Sequence, residues 1–139
     1  MRPGGIEAEG TNLPSPAPLI HVVRSLDQAL SAAAEAETQG LALRLESEAG
    51  AGAHVGFGWF ASLVDLVRER HPGLEVTSCL DCADLPASAI GAMRRGLRHI
   101  RFSAASPAWP RLQGMAAAFG AKLEPGSCPG PFKDTQTRR

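Results

Sequence analysis

Short apolar segments alternate with amphipathic segments through the middle of the chain. The apolar segments are residues 19–23, 41–45, 74–80 and 98–102. Each is followed by a stretch with apolar residues at helical spacing, such as Trp59, Leu63 and Val67 after the second segment. This alternation predicts βαβ units built around a parallel sheet. Lys122 and Leu123 predict the start of a short fifth strand.

Two of the predicted helices carry clear boundary signals. Ser25 followed by Gln28 has the spacing of a capping box, and Gly40 is predicted to end that helix. Asp84 is predicted to cap the helix after the third strand, with Gly96 as its terminator. These helix boundaries leave the polar residues that lie between a strand and the next helix in the loops that follow the strands.

The elements predict one α/β domain over residues 19–124, with four or five parallel strands alternating with four helices. The pattern fits either an open doubly wound sheet or about half of a closed barrel, with right-handed crossovers in both. A half-barrel leaves sheet edges and an apolar concave face uncovered, so it predicts self-association. Residues 1–18 and 125–139 are rich in Pro, Gly and polar residues, which predicts disordered arms.

Composition narrows the class of partner. Lys plus Arg and Asp plus Glu number 14 each among the 139 residues, so no general field attracts nucleic acid or acidic lipid. Three cysteines are too few for a disulfide framework, and no signal peptide is recognisable, which favours a cytoplasmic protein. No apolar run approaches the roughly 20 residues that cross a bilayer. The expected partners are a second copy, a larger protein or a small anionic ligand, and no cofactor is expected.

The segment Cys79 to Asp84 lies where the third predicted strand gives way to a helix. Loops after parallel strands emerge at one edge of the sheet, so residues distant in sequence meet there. Asp81 is the candidate general base of this edge, with simple loop hydrogen bonding as the alternative. Asp84 is a second candidate ligand-binding carboxylate, although its position favours a helix cap.

A Gly-rich run follows the second predicted strand. Gly50, Gly52, Gly56 and Gly58 precede or begin a helix, and their N–H groups have the chemistry to hold a phosphate or carboxylate. The run lacks the Lys-Ser/Thr of a P-loop, so a flexible connector is the favoured interpretation. His54 is a candidate acid or base within it, or an ordinary surface histidine.

Cys79 and Cys82 have the CxxC spacing of redox and zinc sites. Along a strand, residues three apart point to opposite faces and lie roughly 10 Å apart, beyond the reach of a disulfide. No second CxxC accompanies the pair, so no metal site is predicted. Cys79 is predicted to be a core residue. Cys82 is predicted to be more exposed and, if the protein is an enzyme, is a candidate to assist catalysis.

Ser103, Ser106 and Trp109 follow the fourth predicted strand and are candidates for ligand binding at the same edge. Trp59 is a further candidate, because it lies near a helix start and a tryptophan can wall a pocket. Core packing is the alternative for both tryptophans, since each also lies on an apolar stripe.

Four arginines near the fourth strand form a local basic cluster in the sequence: Arg94, Arg95, Arg98 and Arg101. Such a cluster suits an acidic partner or a phosphorylated ligand. Arg94 and Arg95 also fall in the last turn of a predicted helix, where cations complement the helix dipole. The dipole explanation is favoured.

The segments GFGWFASLVDLVRERHPG and VTSCLDCADLPASAIGAMRRGLRHIRF resemble small bacterial proteins of uncharacterised function that are built like a fragment of an aldolase-type barrel. The resemblance covers residues 19–123, and its most specific elements are residues 58–60 and 80–84. It implies a barrel-like fold and no particular activity. Barrel lyases of similar outline use a strand-borne lysine, whereas the lysines here are Lys122 and Lys133, in or beyond the last predicted strand.

Two functions are consistent with these patterns. The first is a non-catalytic binding or assembly module that pairs with itself or with a larger enzyme. The alternative is a small lyase or isomerase-like enzyme acting on a carboxylated or phosphorylated metabolite. In that alternative the Gly-rich run holds the anion, Asp81 takes a proton, and His54 or Cys82 assists. A redox-responsive regulator acting through Cys82 is a third hypothesis.

Overall fold

The computed structural model describes residues 16–126, so most of both predicted arms lies outside the described residues. The strands are β1 (Leu19–Val22), β2 (Leu43–Glu46), β3 (Val76–Asp81), β4 (His99–Ser103) and β5 (Lys122–Gly126). The helices are α1 (Leu26–Gln39), α2 (Ala51–His54), α3 (Phe57–Arg70), α4 (Pro86–Arg95) and α5 (Trp109–Phe119). The predicted alternation of strands and helices is confirmed.

The five strands form one parallel sheet in the order β1-β2-β3-β4-β5. A doubly wound sheet reverses its strand order, and this sheet does not. With right-handed crossovers, consecutive parallel strands place the long helices on one side. Accordingly α1 packs on α3, α3 on α4, and α4 on α5. Of the two predicted architectures, the winding is that of the half-barrel.

The hydrophobic core lies between the sheet and this helical layer. Every second residue of a strand points toward the helices, and at these positions Leu43, Leu45, Leu80, Ile100 and Phe102 are fully buried. The helices contribute fully buried side chains to the same cluster, among them Phe60, Val64 and Val67 from the predicted stripe of α3. The other face of the sheet has no helix from residues 16–126 on it.

The predicted boundaries of α1 are confirmed. The Ser25 hydroxyl accepts a hydrogen bond from the Gln28 N–H at 3.2 Å, and the Gln28 side chain accepts one from the Arg24 N–H at 2.7 Å. Gly40 ends the helix in the left-handed conformation that a glycine adopts without strain. Gly96 ends α4 in the same way. Local sequence therefore determines these ends.

The predicted cap at Asp84 is wrong. Helix α4 begins at Pro86, and Leu85 occupies the cap position without a side-chain hydrogen bond. Proline at the first helical position carries no N–H that needs a cap, and Asp84 lies one residue too early to reach the next ones. Asp84 is exposed instead.

The Gly-rich run is also more ordered than the favoured interpretation of a flexible connector. It contains the one-turn helix α2, which begins after Gly50 at φ 75°. A second left-handed glycine, Gly56 at φ 106°, separates α2 from α3. Glycine is needed at both turns because side chains rarely tolerate positive φ.

No helix within residues 16–126 is both long and apolar enough to cross a bilayer.

Candidate functional site

Asp81 is buried at the carboxyl end of β3, with 7 % of its surface exposed. Its Oδ1 accepts hydrogen bonds from the Gly50 N–H at 3.0 Å and from the Ala83 N–H at 2.9 Å. Its own N–H donates to the Ser47 hydroxyl at 2.9 Å. The carboxylate thus joins the loop after β2 to the loop after β3, which is the hydrogen-bonding alternative predicted for it.

Gly52 packs directly against β3. A Cβ placed on Gly52 would lie 2.8 Å from the Cys82 Sγ and 3.1 Å from the Asp81 carbonyl oxygen. The Gly52 carbonyl accepts a hydrogen bond from the Ser88 hydroxyl at 2.9 Å. Glycine is required here because helix α2 approaches the strand so closely, and the site is filled by protein.

His54 lies at the same edge as Asp81, as the hypothesis of a common site requires. Its ring is exposed and covers Gly50, since a Cβ on Gly50 would be 3.3 Å from the His54 Cδ2. The Gly50 N–H in turn donates to Asp81. Among the described hydrogen bonds none joins His54 to Asp81 directly. Gly56 and Gly58 have open space around their Cα atoms.

Cys82 is fully buried, so the prediction of a more exposed thiol is wrong. Helix α2 covers it through Gly52, which the sequence does not reveal because the run reads as a connector. Burial, reinforced by the nearby Asp81 charge, raises the pKa of Cys82 to about 12. Burial likewise raises the pKa of Cys79 to about 12. Both side chains are therefore thiols at neutral pH, and a thiol is a poor nucleophile.

Three predicted ligand-binding residues meet in one place. Asp84, Ser103 and Ser106 line a surface depression of about 470 Å³ beside Pro107. The Ser106 hydroxyl accepts a hydrogen bond from the Ala108 N–H at 3.1 Å, so it also stabilises its own turn. The depression is an open surface feature that joins these residues and does not include Asp81.

Trp59 and Trp109 take the core-packing alternative. Both side chains are half-buried and pack against the hydrophobic core. Trp59 also lies beside Phe60, with ring centroids 6.1 Å apart. The structure therefore separates the two tryptophans from the depression that holds Asp84.

The predicted arginine cluster divides into separate groups. Arg94 and Arg95 end α4, where Arg95 pairs with Asp65 of α3 at 3.1 Å. Arg101 lies on the opposite side of the sheet and contacts Glu46 at 3.4 Å. The arrangement favours the helix-end role for the first pair and gives Arg101 a different environment.

A network of charged side chains on the sheet face away from the helices escaped the sequence analysis. We call it the open-face network; it consists of Arg44, Glu46, His99, Arg101 and Glu124. Arg44 bonds Glu46 at 2.8 Å and Glu124 at 3.0 Å, Arg101 contacts Glu46, and His99 lies 3.2 Å from Glu124. The signal for it was present as charged residues at every second position of β2 and β4.

The bond between Arg44 and Glu124 fits the curvature of a half-barrel sheet. These residues belong to β2 and β5, which are three strand spacings apart, or about 14 Å in a flat sheet at ~4.8 Å per strand. The half-barrel winding makes this face concave, which brings the two side chains within reach. Cys79 of β3 lies within this concavity, with its Sγ 3.9 Å from the Glu124 carboxylate.

The ionic groups of the open-face network balance one another. Burial opposes ionisation of Glu46, but hydrogen bonds from Arg44 and Arg101 outweigh it and hold the pKa of that carboxyl below its usual value. Burial opposes ionisation of Glu124 too, and Arg44 and His99 outweigh it, so its pKa is also lowered. The expectation of an apolar concave face is wrong at its centre, because two arginines and two glutamates are paired there.

The concave face becomes apolar only at the first strand. Ile20 and Val22 of β1 point to this side, and their surfaces are 54 % and 56 % exposed. They are aligned with Arg44 and Glu46 of β2. The residues with the most exposed apolar surface in the sheet therefore lie on its first edge strand.

No protein-family model matches the chain, and no curated protein matches it in sequence.

Within residues 16–126, no three His, Cys, Asp or Glu side chains are grouped so that they could hold a metal ion.

Proposed function

We propose that this chain is a non-catalytic assembly module that binds a protein partner along the outer edge of β1. One observation carries the proposal: Ile20 and Val22 expose more than half of their surfaces on a strand that, within residues 16–126, has a neighbour on one side only. The unpaired N–H and C=O groups of an edge strand are a template for pairing with another chain, and exposed apolar side chains favour it. Strand addition provides hydrogen bonds from the backbone and specificity from alternate side chains.

The groups on which the enzymatic alternative depends have structural work already. Asp81 Oδ1 accepts two N–H groups, and the Gly50 N–H, which was a candidate to hold an anion, is one of them. Cys82 is buried. These contacts favour the assembly module over a lyase or isomerase-like enzyme.

A labelled peptide with the sequence of residues 18–24 is a direct probe of this proposal. We expect it to bind the folded chain and to lose affinity for the Val22→Pro variant, because proline removes an outward N–H from β1. Binding is measured by fluorescence anisotropy. A matched peptide with Ile20 and Val22 replaced by Asp serves as the control. Equal binding of both peptides, or of neither, would refute the proposal.

A further inference from the structure

The backbone of β1 has one side engaged and one side open. The N–H groups of Leu19 and Val23 donate to β2 residues or their neighbours, at 2.8 Å to the Ala42 oxygen and 2.9 Å to the Glu46 oxygen. Backbone polar groups alternate between the two sides of a strand. The N–H and C=O groups of Ile20 and Val22 therefore point away from β2. Nothing within residues 16–126 pairs with that side of β1.

The opposite edge of the sheet is protected. The Lys122 N–H donates to the Arg98 oxygen at 2.7 Å, so the backbone groups of Lys122 point toward β4. By alternation, the backbone groups of Leu123 and Pro125 point away from β4. Pro125 has no N–H to offer, and proline is a common device that blocks an edge strand. Head-to-tail pairing of β5 with β1 of another copy would therefore lack a hydrogen bond in the middle of the contact.

We infer that β1 pairs antiparallel with β1 of a second copy, about a two-fold axis through His21, to form one continuous ten-stranded sheet. The inference rests on the proposed function and names its partner. In this register Ile20 lies opposite Val22 of the second copy, and each such pair exchanges two N–H to C=O bonds. Four hydrogen bonds then join the copies, and every outward group of Ile20 and Val22 is used.

Side-chain chemistry supports the same register. The four side chains of Ile20 and Val22 from both copies lie on one face and form adjacent pairs of β-branched residues, which are favourable across strands. A shift of the axis to either neighbour leaves one of these residues without a cross-strand partner. Symmetric contacts of this kind close on themselves, whereas β1 to β5 contacts propagate. The blocked edge at Pro125 fits the closed arrangement.

The β1 strand lacks several of the devices that prevent edge pairing. Its four residues include no lysine, no proline and no bulge, and His21 is its only titratable side chain. The His21 ring points to the helical side, where it lies 3.3 Å from Glu35 of its own chain. The imidazole of His21 at the two-fold axis is therefore paired within its own chain, and the apolar side chains of Ile20 and Val22 contact the second copy.

A cysteine at the axis tests the register. Residues in a pair without hydrogen bonds have Cα atoms about 4.5 Å apart, within the range of a disulfide. In the full chain carrying Cys128→Ser, we expect His21→Cys to form an intermolecular disulfide under mild oxidation, seen on a non-reducing gel. Asp84→Cys, an exposed position away from β1, is the matched control. Equal cross-linking of both variants, or none for His21→Cys, overturns the inference.

The mass in solution tests the pairing itself without a new cysteine. We expect light scattering after gel filtration to give twice the chain mass at high concentration. Val22→Pro is expected to weaken association by roughly tenfold or more, because each dimer loses two hydrogen bonds. Val22→Lys should weaken it similarly and leaves the backbone unchanged. Circular dichroism of both variants must remain that of the parent chain, because the N–H of Val22 takes no part in the ladder with β2.

The outcomes separate this inference from the proposed function. A monomer at every concentration that still binds the peptide of residues 18–24 rejects the second copy and keeps β1 as an edge for another partner. A monomer that does not bind the peptide rejects both. A monomer with Ile20 and Val22 amides protected from exchange shows that another part of the same chain covers the edge, which also rejects the inference. A dimer unaffected by Val22→Pro and Val22→Lys places the interface elsewhere.

Discussion

The loops at the carboxyl ends of the strands and the outer edge of β1 differ in how their polar groups are used. At the carboxyl ends, the residues that suggest chemistry are engaged within the chain, as Asp81 is with Gly50 and Ala83. At the β1 edge the backbone of Ile20 and Val22 has no partner within the described part of the chain. Side-chain chemistry therefore points to one region, whereas unsatisfied hydrogen-bonding capacity points to the other.

The comparison shows how a catalytic-looking carboxylate can serve a structural purpose. Burying backbone N–H groups without acceptors is costly, and one carboxylate oxygen can satisfy two of them. An edge strand faces the opposite problem, because its groups remain satisfied by water until a better partner arrives. The first region stabilises the fold, and the second is the region for which we propose association.

The largest expected change in stability follows from substitution of Asp81, which holds the loops at the carboxyl ends of the strands together. Asp81→Ala should lower the free energy of unfolding by about 3 kcal/mol, since two hydrogen bonds to a charged group are lost in a buried place. Urea unfolding measures the change. Asp84→Ala, at an exposed position, is the control and should stay within ~0.5 kcal/mol of the parent. If Asp81→Ala is as stable as the parent chain, Asp81 does not stabilise the fold, and the contrast between the two regions is wrong.

Gly52→Ala should have the next largest effect. The added Cβ would lie 2.8 Å from the Cys82 Sγ and 3.1 Å from a backbone oxygen, so α2 or β3 must move. We expect a loss of about 2 kcal/mol, as for other overpacked sites. Gly58→Ala is the matched control, because nothing lies within 4 Å of its Cβ position and it is helical, so that variant should gain slightly in stability. The two variants are compared by thermal unfolding; equal losses would argue against close packing of α2.

The open-face network should give a smaller, pH-dependent contribution. The pKa values of Glu46 and Glu124 are lowered from their usual 4.5, so their stabilisation is present above that pH and is lost as pH falls through the lower folded values. Glu46→Gln should cost about 1 kcal/mol at neutral pH and make the stability less dependent on pH below 4.5. Urea titrations at a series of pH values test this. An unchanged acid limb in the variant would remove Glu46 from the network.

The smallest expected change in stability is at the β1 edge itself. Val22→Lys should alter the free energy of unfolding of the monomer by no more than ~0.5 kcal/mol, because the side chain is exposed. Unfolding at a concentration low enough to dissociate any dimer measures this. A large loss there would mean that Val22 supports the fold of the single chain, and the contrast between the two regions would disappear.

The local sequence was sufficient to predict the order of the five strands and the four long helices, and the ends of α1. Ser25, Gln28 and Gly40 act within one helix, so their roles do not depend on distant residues. The parallel arrangement followed from the alternation of apolar and amphipathic segments, which is also a local property. The choice between a doubly wound sheet and a half-barrel depended on which strands are neighbours, and only the structure shows this.

The rest depended on contacts between distant segments. Cys82 is buried because α2 covers it, and the Gly-rich run gives no periodicity from which α2 could be predicted. Arg44 and Glu124 meet because the sheet curves, although 80 residues separate them. The burial of Asp81 likewise depends on the position of Gly50, 31 residues away. Asp81 lies at the predicted strand end, and its contacts are set by partners from another segment.

Amide exchange of Ile20 and Val22 tests the central claim most directly. The claim is that their outward N–H groups bind a partner strand, so we expect both amides to be protected at high protein concentration and to exchange faster on dilution, by NMR. The inward His21 amide should stay protected throughout, which controls for unfolding. Rapid exchange of Ile20 and Val22 at every concentration at which His21 stays protected would contradict the claim.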